Sequence, residues 1–148
     1  MSNNLEQIIL RNLINDEKYM RKVLPFIRQI YFSGEYKVFF KYVCKYVNKY
    51  NRLPSQEAIK VELDESNISG DSYTDVMTLL PKIYTKEEVD KEWLLEKTEK
   101  WCQDRAVYNA IMESFSIIDG KHEKLTKNAI PDLLVSALGV GFDTHIGH

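Results

Sequence analysis

The sequence predicts an all-α protein, a small globular helical bundle followed by a helical hairpin with one long helix. Apolar residues recur at three- and four-residue spacing along most of the chain, as on one face of a helix. No convincing strand, hairpin turn or internal repeat interrupts that pattern. Between Thr85 and Gly120 there is no Pro or Gly at all. That stretch reads as one helix of about 34 residues, roughly 50 Å long at 1.5 Å per residue.

The elements follow in order. Leu5, Ile8, Ile9 and Leu13 place an amphipathic helix over residues 4–14. Asp16 suits the N-cap of a short second helix carrying Tyr19, Met20, Val23 and Leu24, which Pro25 ends or redirects. Phe26, Ile27, Ile30, Tyr31 and Phe32 form an apolar bridge to Ser33-Gly34. A third helix, from about Glu35 to Tyr50, is dense in aromatics. Its rings are Tyr36, Phe39, Phe40, Tyr42, Tyr46 and Tyr50, with Val43 and Val47 between them. Ser55 caps a fourth helix marked by Ala58, Ile59, Val61 and Leu63. After a polar loop from Asn67 to Asp71, Ser72 to Asp75 open a fifth through Val76, Leu79, Leu80 and Ile83. Pro81 predicts a kink or an early stop there.

The long helix then begins at a capping box, Thr85-Lys86-Glu87-Glu88, with Tyr84 and Val89 as a hydrophobic staple. Gly120 supplies the left-handed residue at its end. Pro131 starts a short returning helix through Leu133, Leu134, Val135, Ala137 and Leu138, which Gly139 and Gly141 stop. The expected organisation is a head over residues 1–84, a hairpin over 85–139 and the start of a linker over 140–148. The C-terminus, without cap or charged tail, reads as a cut from a longer protein.

At 148 residues with 44% apolar content, one domain with an appendage is expected. No segment nears the roughly 18 apolar residues of a membrane span, and the N-terminus has no secretory pattern. Cys44 and Cys102 then read as buried, reduced thiols of a cytoplasmic protein. The net charge of −2 argues against a module that wraps a nucleic-acid backbone, which needs excess Lys and Arg.

A search for chemistry returns little. The phosphate-loop motif G-x-x-x-x-G-K-[ST] fails at both ends: Phe115 stands where its first Gly belongs, and His122 where Ser or Thr belongs. No cofactor, metal or catalytic residue is assigned. His145, His148 and Asp143 lack a supporting ligand cluster and read as ordinary tail. His122, between Lys121 and Lys124 in a polar loop, reads as a solvated side chain.

Two surfaces remain. Lys37, Lys41, Lys45 and Lys49 recur every four residues on the third helix. They form either a face for a partner or nucleic acid, or the solvated side of a helix whose aromatics fill the core; the second is the simpler reading. On the long helix, Leu94, Trp101, Tyr108 and Phe115 recur every seven residues, with Ile111 and Ile118 on the same side. So long a helix would overhang an 80-residue head, so the column predicts pairing with a second copy. The expected contact residues are Leu94, Trp101, Tyr108, Ile111 and Phe115, with Leu134 and Leu138 of the returning helix. Lys97, Asp104 and Arg105 interrupt the first half, which shifts the contact towards Tyr108 and Phe115.

Several stretches carry a family resemblance: Ile8-Ile9-Leu10, Leu53-Pro54-Ser55, Lys97-Thr98-Glu99-Lys100, and Gln103-x-Arg105-Ala106. Ala129-Ile130-Pro131-Asp132 and the closing Phe142-Asp143-x-x-Ile146-Gly147-His148 add to it. Together they resemble the N-terminal domain of DnaB-like replicative DNA helicases of T-even-type bacteriophages. The resemblance implies a helical head and a hairpin that pairs between subunits to build the collar of a ring hexamer. It implies primase and helicase loader as partners. A RecA-type motor after the linker would hold ATP and Mg and make most of the DNA contact; none of its residues is present here. The alternative from another class is a small independent helical DNA-binding regulator, with the Lys37–Lys49 helix as its reader.

Overall fold

The computed structural model describes residues 2–142, with side chains from Asn4 onward. Every regular element among these residues is a helix. The chain divides into two compact units, one up to Val89 and one from Asp90.

The first unit holds α1 (Ser2–Asn15), α2 (Glu17–Val23), α3 (Gly34–Tyr50), α4 (Gln56–Glu65) and α5 (Gly70–Tyr84). Two single 3-10 turns, Leu24–Phe26 and Gln29–Tyr31, join α2 to α3. Helix α1 packs on α2, α3 and α5, and α3 also packs on α4 and α5. The residues fully enclosed among them include Ile9, Leu10, Leu13, Met20, Phe39, Phe40, Ile59, Leu63, Leu80 and Ile83. Each of these had been placed on an apolar face by periodicity or turn logic, except Leu10.

The caps are local chemistry. Asp16 Oδ1 accepts the Tyr19 amide at 3.1 Å, and Ser55 Oγ accepts that of Ala58 at 3.1 Å. Asn51 ends α3 in the left-handed region, φ 57°, and donates its amide to Val47 O at 2.7 Å. Asn is among the few side chains that tolerate that conformation.

One feature departs from the sequence-based reading and a second is not foreseen by it. Helix α5 starts at Gly70, a residue after Ser69, and it runs past Pro81 to Tyr84 rather than stopping. Pro81 removes one amide donor, but α1 supplies donors to the carbonyls beyond it. Arg11 Nε donates to Lys82 O at 3.2 Å and Asn15 Nδ2 to Ile83 O at 2.9 Å. The second feature is Glu6, whose side chain is fully buried. It accepts the Ser33 amide at 2.9 Å and the Ser33 hydroxyl at 3.2 Å, closing the first turn of α3 from a neighbouring helix.

The second unit is a helical hairpin: α6 (Lys91–Ile118), a loop with a 3-10 turn at Lys127–Ala129, and α7 (Ile130–Leu138), packed on α6. Helix α6 starts five residues later than the capping-box reading places it. Thr85 instead ends α5, its hydroxyl donating to Pro81 O at 2.6 Å. Asp90 is the true N-cap, accepting the amides of Glu92 at 2.9 Å and Trp93 at 3.2 Å. A carboxylate that takes two amides outcompetes a hydroxyl already used by the preceding helix. The 28 residues of α6 span about 42 Å.

The far end behaves as expected. Gly120 is left-handed, φ 73°. Its amide donates to Ile117 O at 3.0 Å and that of Lys121 to Ser116 O at 2.9 Å, the paired bonds of a Schellman motif. His122 is not solvated as expected. Its Nδ1 accepts the amides of Lys124 and Leu125 at 3.1 and 3.0 Å, so Nε2 carries the proton and donates to Glu113 at 2.9 Å. The hairpin turn is thereby tied back to α6.

Candidate assembly surface

After α7 the chain is strapped to the middle of α6. Gln103 Nε2 donates to Val140 O at 2.8 Å, and the Phe142 amide donates to Glu99 at 2.9 Å. Helix α7 therefore returns antiparallel along the second half of α6. The residues that α6 buries in that half are small or slender: Ala110, Ser114 and Ile117. In the first half the buried set is Leu94, Thr98, Trp101 and Cys102. On a helical wheel the two sets are centred roughly 140° apart. The buried face of α6 therefore steps round the helix near its middle.

That step divides the heptad column. Leu94 is fully buried and Trp101 is 5% exposed, so neither is offered to a partner. Tyr108 and Phe115, which continue the same column, are 55% and 56% exposed. Ile111, Met112 and Ile118 are exposed beside them, giving a five-residue apolar stripe along the second half of α6. On α7, Leu138 and Val135 are exposed and Leu134 is half-buried. The expected interface thus loses Leu94 and Trp101 and gains Met112, Ile118 and Val135. Met112 and Val135 were missed because the column was read from its largest residues, although Met112 sits one turn from Tyr108 and was legible.

The lysine strip lies in the first unit. Lys37, Lys41, Lys45 and Lys49 are all exposed on α3. The core side of this helix is made by Tyr36, Phe39, Phe40, Val43 and Val47. Tyr42, Tyr46 and Tyr50 are not part of it, contrary to the view that the aromatics as a group fill the inner face. They run beside the lysines, with Tyr50 exposed and the other two half-buried.

Neither cysteine is set up as a nucleophile. Burial pushes the Cys44 thiol up to about 11. Burial, with Glu99 nearby, pushes that of Cys102 up to about 12. Both thiols are therefore protonated and inert near neutrality. Among the described residues there is no cluster of His, Cys, Asp and Glu fit to hold a metal, and no helix long and apolar enough to cross a membrane. Asp143, His145 and His148 lie outside the described residues, as does most of the closing motif. Gly120-Lys121 is a helix terminator whose amides are taken by α6.

No protein-family model matches the chain. It is 38% identical over 151 aligned positions to the DnaB-like replicative helicase of Enterobacteria phage T4. The match takes in 96% of this chain, which spans 32% of the length of that relative. The likeness fits an N-terminal domain of a phage DnaB-like helicase. Identity at this level over nearly the whole chain extends well beyond the short stretches that carried the resemblance.

Proposed function

We propose that this chain is the collar domain of a ring-shaped, NTP-driven replicative helicase, working by self-association and partner docking rather than by catalysis. The observation that carries the reading is the stripe Tyr108, Ile111, Met112, Phe115 and Ile118, left exposed on a helix that packs another side against α7. Apolar stripes of this kind mark interaction surfaces. A second copy supplies the simplest cover, because two-fold symmetry matches the stripe to itself without any new partner surface. Pairs of hairpins arranged round an axis then build a hexameric collar. Primase and the helicase loader are the proposed docking partners. ATP and Mg belong to a motor that would follow in the same polypeptide, where duplex unwinding would occur.

The head and the hairpin divide these tasks. The hairpin carries the contiguous exposed apolar stripe, whereas the large apolar side chains exposed in the first unit, Ile30, Tyr50 and Val61, are spread over three elements. Native mass spectrometry of the chain, continued through its own reading frame, tests the proposal. The expected result is a hexamer that Tyr108→Glu with Phe115→Glu reduces to smaller species. A reading frame that stops at His148, or a hexamer indifferent to both substitutions, overturns it.

A further inference from the structure

The feature that self-association leaves unused is the outer side of α3. Between α3 and α4 lies a concavity of about 460 Å³, lined by Tyr42, Lys45, Tyr46, Lys49 and Tyr50 on one side and Glu62 on the other. That volume is in the range of sites that hold small planar groups. Cations lie beside the rings. Lys45 Nζ lies 5.3 Å from the centre of the Tyr42 ring, and Lys49 Nζ lies 5.3 Å from that of Tyr50. Arg52 approaches Tyr50 at 6.0 Å, and the Tyr46 and Tyr50 rings are 4.7 Å apart. None of the four lysines meets a carboxylate within 4.0 Å among the described residues. In a chain with net charge −2, this is a local concentration of unneutralised positive charge.

We propose that this face of α3 is a site for single-stranded DNA, with bases stacked on Tyr42, Tyr46 and Tyr50 and phosphates along Lys37, Lys41, Lys45 and Lys49. Alternating rings and cations, one helical turn apart, suit a chain that is itself alternating base and phosphate. An acidic peptide would use the lysines and leave the rings idle. A duplex would hide the base faces that the rings need. Glu62 repels phosphate from the far wall of the concavity, so the backbone runs along the lysines and the bases turn inwards. This adds a DNA contact made by the collar itself to the assembly role proposed above, and it does not depend on that role.

The test is fluorescence anisotropy of the 148-residue chain with a labelled oligo-thymidine. Four neutralised phosphates give a log–log salt slope of about −3 for a single strand. The pair Lys45→Ala and Lys49→Ala should cut that slope by roughly half. Tyr50→Ser, at an exposed position, should weaken binding about fivefold or more while leaving the slope unchanged. Circular dichroism of each variant confirms the fold. The proposal is overturned by an absence of binding at low salt, or by equal affinity for a duplex of the same length or for poly-glutamate. Binding that ignores both sets of substitutions overturns it as well.

Discussion

Glu6 shows how much one buried side chain can organise without leaving a mark in the sequence. It stands in the first helix with no feature that singles it out, yet it is enclosed and holds the start of α3. Its signal is absent because the partner, Ser33, is 27 positions away. Replacing Glu6 with Ala leaves a buried amide and hydroxyl without this acceptor and should cost about 1.5–3 kcal/mol. Glu6→Gln, which keeps an oxygen acceptor, should cost less, and urea denaturation of the two variants measures the difference. Asp16, Ser55 and Gly120 are the contrary case: their partners lie within a few positions, so their capping roles were legible in advance. His122 falls between, since its loop placement was clear but its bond to Glu113, nine positions earlier, was not.

Among elements, α6 is the instructive one. Its existence and its C-terminal end follow from the lack of Pro and Gly and from Gly120. Its start does not, because Thr85 and Asp90 both make plausible caps, and Thr85 is already taken by the end of the preceding helix. The heptad column is real as a spacing but does not mark one continuous face. Ala110 and Ser114 carry little apolar signal, so the sequence hides the side that α7 covers and advertises the side that it leaves bare. Trp101→Glu therefore tests folding rather than association. Burying a charge at a 5% exposed position should destabilise the chain by more than about 3 kcal/mol. Thermal melting followed by circular dichroism checks this, with Tyr108→Glu, at a 55% exposed position, expected to stay within about 0.5 kcal/mol of the parent.

At the scale of the whole molecule, the all-α class and the order of the helices were readable from periodicity. The exposed apolar stripe of α6 was readable in part. Tyr108, Ile111 and Phe115 were identified and are exposed, whereas Leu94 and Trp101 lie inside the chain. What a single sequence leaves open is which apolar residues remain after the chain has packed on itself, since that depends on contacts between elements. The central claim is that those remaining on α6 are covered by a second copy. Sedimentation equilibrium of the 148-residue chain against its Phe115→Glu variant tests it most directly. The account predicts a parent that associates as its concentration rises and a variant that stays monomeric with unchanged helicity. A parent that remains a monomer, or a variant that associates equally well, would contradict it.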